Sequence, residues 1–297
     1  MRWVLWILLC TIVVFGPLDA LGRLLVLKDK TRLDFSQSYY TSNSRVLFVY
    51  YPGILADGVT SSAKISPVWQ EHGDVLHVSY SGGRFSPKRV VKTVAGWIND
   101  HQGDYDTVVF IGSSMGGLLS YDTVPLIENK IADIRFILAD APTKRSDFQA
   151  PLDKISLATW GWWAGPINNL TVGKLYFKAT FRGPAEKNIE PGVDRDELAR
   201  RVEEAKSFPI SINNDWIRYI IGHDTLTPAS LQGYEAVYIR STRDDDTVRP
   251  EAQDAWAAVF GDSLASMRVD STHVGYNERP LTWQHAYSDA IEMIEID

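Results

Sequence analysis

Gly112-Ser113-Ser114-Met115-Gly116 places a serine hydroxyl in a G-x-S-x-G frame, directly after the apolar run Thr107 to Ile111. A serine in such a setting can serve as a nucleophile. Turned sharply between a strand and a helix, it needs small flanking residues, and Gly112 and Gly116 supply them. Its Oγ would stand clear at the carboxyl edge of a sheet, beside a helix N-terminus. There the positive end of the helix dipole and the Met115 N–H could receive a developing oxyanion. Such a frame also arises by chance in about one chain of ten, and two glycines can mark nothing more than a tight corner. The weight therefore falls on the elements around it.

Those elements alternate. Strands are expected at "RVLFVYYPG" (45–53), "DVLHVSYSGG" (74–83), "DTVVFIG" (106–112), "DIRFILADAP" (133–142), "YEAVYIRS" (234–241) and "ASMRVDS" (265–271). Two opening strands are expected in "RLLVLKD" and "DFSQSYYTS", and one short helix in "SSAKISPVWQEHG". "SPKRVVKTVAGWINDH" carries Ser86 as N-cap, Pro87 at the first helical position and Val90, Val94, Trp97 and Ile98 on one face, the signals of an amphipathic helix. Further helices follow the strands, at "RPEAQDAWAAVFG" and at the closing "RPLTWQHAYSDAIEMIE". Apolar strands without period-two patterning, separated by helices, predict an α/β fold with a mostly parallel sheet buried on both faces. About ninety residues between Pro142 and Tyr234 break the rhythm and exceed an ordinary connection. Residues 143–233 are therefore expected to form an inserted helical cap on a core made of residues 23–142 and 234–297.

Composition narrows the chemistry. The chain has 297 residues and a formal net charge of −7, which argues against a nucleic-acid partner. Its single cysteine, Cys10, rules out an intramolecular disulfide, and none of its six histidines forms a ligand pair at metal spacing. Trp3 to Phe15 is unbroken and apolar. As a helix of about 20 Å it is too short to span a bilayer unaided, so residues 1–22 are expected to be a signal peptide or a membrane anchor. Leu18 in Leu18-Asp19-Ala20 makes a poor cleavage site, and the protein is expected to be exported or held at a membrane. Asn169-Leu170-Thr171 matches a glycosylation sequon.

From Arg45 to the C-terminus the elbow and its alternating elements resemble the α/β-hydrolase superfamily. The resemblance implies a nucleophile, acid and histidine in that chain order, with the acid after the strand that follows the cap and the histidine after the last strand. Asp245 fills the first position, in a D-x-x-V frame ending at Val248, with Asp246 second and Asp244 third. His273 fills the other. It would take the proton from Ser114 while the carboxylate fixes its tautomer. The second oxyanion donor is expected at the Ile54 N–H, after Pro52-Gly53, where Gly53 permits close approach to substrate. Of the other histidines, His72 and His101 end helices, His77 lies in a strand and His285 in the closing helix. His223, in the cap beside Asp224, is a minor candidate for substrate contact.

Serine at the elbow implies acyl transfer through an acyl-enzyme, with no metal or organic cofactor. The expected function is an esterase or lipase acting on a small-molecule ester. Trp160, Trp163 and Trp216 are candidates to line an acyl pocket, although a cap's own core, or its seam with the sheet, would use the same residues. An apolar cap with a membrane leader points towards hydrophobic or lipid esters. A serine peptidase, thioesterase or acyltransferase would use the same three residues, and a non-catalytic binding protein could keep the fold.

Overall fold

The computed structural model describes residues 21–22, 25, 27–40, 44–127, 133–147, 186–207, 210–223, 226–243 and 247–296. Its elements, in chain order, are β1 (Asp29–Ser36), β2 (Val46–Tyr51), α1 (Gly58–Ser62), α2 (Ser66–Gln70), β3 (Asp74–Gly82), α3 (Pro87–Asp100), β4 (Thr107–Ser113), α4 (Gly116–Thr123), β5 (Asp133–Ala139), α5 (Arg195–Ser207), α6 (Ile210–Gly222), β6 (Ala236–Ser241), α7 (Glu251–Phe260), β7 (Leu264–Val269) and α8 (Pro280–Met293). The seven strands form one sheet in the order β1-β3-β2-β4-β5-β6-β7, with β1 antiparallel to β3 and every other pair parallel.

The strands build two cores because successive side chains leave opposite faces. Leu47, Val49 and Tyr51 of β2 pack with α3, α4, α6 and α7 on one face. Phe48 and Tyr50 pack with Trp69 of α2 and Trp283 and Tyr287 of α8 on the other. Each such side chain is fully or almost fully buried, a contribution of about 1.5–3 kcal/mol per large apolar residue. β4 lies between β2 and β5 with Gly112 opposite Tyr51 and Ser113 opposite Ala139. The residue after β4 therefore emerges at the carboxyl edge of the sheet's centre.

The expected α/β architecture is the one observed, with two local differences. Among the described residues a single opening strand, DKTRLDFS, stands where two were expected. It pairs along its whole length with β3, so tertiary pairing draws its charged residues into the sheet. The expected helix before β3 is two five-residue helices. Asp57 caps the first by accepting hydrogen bonds from Val59 and Thr60, and Pro67 lies in the first turn of the second. α3 follows its signals, with the Ser86 hydroxyl accepting from the Arg89 N–H.

Of the inserted segment, residues 148–185 lie outside the described residues. α5 and α6 belong to the rest, and α6 packs Ile212, Trp216 and Ile217 into the core. The Glu190 carboxylate accepts from the N–H groups of Leu281 and Thr282, and so caps α8 from within the insertion. The apolar N-terminal run and the Asn169 sequon are likewise outside the described residues, among which no helix is long and apolar enough to cross a membrane.

Candidate active site

Ser114 has φ +51°, a left-handed conformation that a non-glycine residue adopts at a cost. The fold holds it there by close packing. A Cβ on Gly112 would meet Gly117 Cα at 2.5 Å, and one on Gly116 would meet the Tyr51 carbonyl oxygen at 2.1 Å. The missing side chains let α4 lie directly against β2 and β4. The Ser114 N–H donates to the Ala139 carbonyl (2.8 Å), which ties the turn to β5. Ser114 is 2% exposed, and its Oγ makes no hydrogen bond among the described residues.

Ser114 opens onto a cavity of about 500 Å³. One wall is the loop after β2, with Gly53, Ile54 and Leu55. His273 and Val274, from the loop after β7, form a second. Leu198, Arg201 and Val202 of α5 face them from the insertion. Six non-glycine residues among those described have positive φ, and four gather here. Leu55 (+58°), Ser114 and Val274 (+42°) line the cavity, and Asp140 (+47°) accepts a hydrogen bond from the Val274 N–H. Strained backbone concentrates where function demands a particular geometry.

Gly53 is fitted closely to Ser114, for a Cβ there would lie 3.1 Å from Ser114 Cβ and 3.7 Å from Oγ. Ile54 lines the cavity as expected. Met115 buries its side chain completely and leads into α4, so only its backbone is available to the site. Trp216 is also fully buried, edge-on to Tyr80 and Phe85, and does not line the cavity. It occupies the seam between α6 and the sheet, the structural role an aromatic residue there can equally fill. Asp244, Asp245, Asp246, Trp160 and Trp163 lie outside the described residues.

The other histidines have separate employment. His77 is buried, bonds through Nδ1 to the Ser62 hydroxyl (2.9 Å), and burial pushes its pKa down. His101 stacks on Trp97, and His223 meets the Asp122 carboxylate at 3.1 Å. Neither lines the cavity with Ser114. No cluster of three or more His, Cys, Asp or Glu side chains suited to a metal occurs among the described residues.

Two features were not foreseen from the sequence. One is Asp140, just past β5. The other is a chain of hydroxyls beneath the elbow. Ser113 Oγ lies 2.5 Å from Tyr276 OH, which lies 2.8 Å from Tyr287 OH. This links the residue before the nucleophile to the loop that carries His273. Tyr50 lines the cavity close by, its pKa pushed up to about 12 by burial. Burial also raises the pKa of Glu278, another lining residue.

The chain has the α/β-hydrolase fold. It superposes on a hydrolase from Pseudomonas aeruginosa PA01 with TM-score 0.61 and 14% identity, over 91% of this chain and 99% of that one. A thermophilic esterase from Thermogutta terrifontis gives TM-score 0.62 and 14% identity, over 90% and 94%. A bromoperoxidase from Bacillus anthracis gives 0.62 and 13%, over 89% and 96%. At such identities the likeness is one of fold. No family model matches the chain, and no curated protein matches it in sequence.

Proposed function

We propose that this protein is a serine hydrolase that cleaves carboxylic esters. The observation that carries the reading is Ser114 itself. A hydroxyl is held at positive φ, without a hydrogen-bond partner among the described residues, on a cavity that it shares with His273. In this reading His273 takes the Ser114 proton as Oγ attacks the ester carbonyl. The N–H groups of Ile54 and Met115 receive the oxyanion. The imidazolium then protonates the departing alkoxide and leaves an acyl-enzyme. Water, deprotonated by the same imidazole, releases the acid and restores Ser114. Esters are favoured over amides because an alkoxide leaves with less proton assistance than an amine. Leu198, Val202 and Ala205 of α5 offer apolar contact to an acyl chain beside the charged Arg201 and Glu204, and the N-terminal run would bring the enzyme to a membrane or an export route.

A fluorophosphonate probe and a panel of p-nitrophenyl esters, acyl thioesters and aminoacyl amides test the proposal. The wild type should be labelled on Ser114 and should turn over esters fastest, and Ser114→Ala should abolish both. Folded wild type that takes no label would refute the enzyme reading, and faster turnover of thioesters or amides would refute the ester assignment.

A further inference from the structure

Asp140 is 1% exposed, yet it carries a carboxylate. Its place follows from the sheet. Ala139 pairs with Ser113 on one side and Ile239 on the other, so the next residue emerges between the nucleophile turn and the end of β6. The Asp140 N–H donates to the Ile239 carbonyl (3.0 Å). Oδ1 accepts from the Ser241 N–H (2.8 Å). Oδ2 accepts from the Ser241 hydroxyl (2.6 Å) and the Val274 N–H (3.0 Å). The same Oδ2 lies 3.8 Å from His273 Nδ1. The carboxylate thus grips the backbone one residue beyond His273 and faces the ring nitrogen of His273 itself.

We infer that Asp140 is the carboxylate that orients His273 for catalysis, a role for which the sequence pattern favours Asp245. The inference rests on Ser114 and His273 acting as proposed above. The hydrogen bonds from Ser241 and Val274 hold a buried carboxylate in place, and the imidazolium formed during acyl transfer would meet its charge. The separation of 3.8 Å exceeds a hydrogen bond, as is common in a resting site before substrate draws the groups together. Asp140 touches neither substrate nor nucleophile, so it is a positioning residue that acts through the imidazole. Its backbone, at φ +47°, lies in the left-handed region that aspartate tolerates better than most residues.

The test compares Asp140→Asn, Asp245→Asn and Ser241→Ala with wild type in the full chain. kcat/KM is followed against pH on p-nitrophenyl acetate, and the His273 imidazole is titrated by NMR, assigned by the signal lost in His273→Asn. Among the described residues, the ionisable groups that line this cavity with His273 are Asp57, Arg201, Glu204 and Glu278, with the Tyr50 and Tyr276 hydroxyls. Asp140→Asn should cut kcat by about 10³–10⁴-fold. It should also move both the acid limb and the His273 titration to lower pH, because the imidazolium loses a negative charge 3.8 Å from its ring. Ser241→Ala, which keeps the charge, should leave both midpoints in place, and Asp245→Asn should stay within several-fold of wild type. A loss in Asp140→Asn with unmoved midpoints would reduce the residue to a structural anchor and overturn the inference. So would a moved His273 titration in Asp245→Asn. Should Asp140→Asn fail to fold, Asp245→Asn still decides, since an unmoved His273 titration there supports Asp140. The NMR readout needs no turnover, so an inactive wild type would fail the esterase proposal separately.

Discussion

Gly116→Ala and Gly96→Ala make the same chemical change in two helices and should have opposite effects. Neither glycine has the positive φ that only glycine adopts freely, so backbone strain does not separate them. Space does. A Cβ on Gly96 of α3 would meet nothing within 4 Å, and there the usual preference for alanine in a helix should raise stability by about 0.5–1 kcal/mol. A Cβ on Gly116 would sit 2.1 Å from the Tyr51 carbonyl oxygen and 2.7 Å from its carbon, where ordinary contact begins at 3.4 Å. Either β2 or α4 must give way by about 1.3 Å. Both atoms are backbone, and Tyr51 is held by its ladder to Gly112 and by its hydroxyl bond to Thr123 Oγ1 (2.7 Å). Overpacking of this kind costs about 1–3 kcal/mol.

The catalytic loss should be comparable with the upper end of that loss of stability. Tyr51 leads through Pro52 and Gly53 to Ile54, and α4 begins just after Ser114, so the displacement separates the two expected oxyanion donors. A misplacement of about 1 Å at reacting groups costs about 100-fold in rate. Urea denaturation gives the stabilities, and kcat on a p-nitrophenyl ester gives the rates. A Gly116→Ala protein as stable and as active as wild type would refute the close-packed elbow. A destabilised Gly96→Ala would refute the idea that space decides the sign.

Ser114→Gly and Ser114→Ala should both abolish labelling, but the glycine variant should be more stable by about 1 kcal/mol in urea, because φ +51° costs alanine what it costs serine. Tyr276→Phe removes the hydroxyl that bonds Ser113 Oγ and Tyr287 OH. It should lower stability by about 1–3 kcal/mol in thermal unfolding, and lower kcat as the His273 loop loosens from the elbow. Glu278 has its pKa raised in the folded state, mainly by burial. Its protonated form therefore favours folding below the unfolded value of about 4.3, and this contribution is lost as pH rises through the higher folded value. Glu278→Gln should match wild type in urea at pH 4 and exceed it at pH 7, and equal stabilities at both would count against a desolvated carboxyl.

What was legible in the chain is what is local. The Ser114 turn declares itself because strand, glycines and helix follow one another within about a dozen residues, and the steric reason for each glycine can be stated before any fold is known. His273 is legible through its place between the last strand and α8. β1 was not, because its charged residues enter the sheet by pairing with β3, a partner about forty residues away. Trp216 shows a different limit. The sequence marks it as aromatic and amphipathically placed, but whether it faces a cavity or a seam depends on the packing of α6 against Tyr80 and Phe85. Asp140 is the most instructive case. In "FILADAP" it looks like an ordinary end to a buried strand. Only the register of β5 against both β4 and β6 carries it to the nucleophile turn, and only the return of the chain after β7 brings Val274 and His273 to its oxygens. One signal was present. An aspartate one residue beyond a wholly apolar strand is a charge at the sheet's carboxyl edge, the edge where Ser114 also emerges. The Asp244–Asp246 run fits the frame that the resemblance implies for the acid and lies outside the described residues. A carboxylate buried beside the Ser114 turn is costly to maintain, and that cost is the physical argument for testing Asp140.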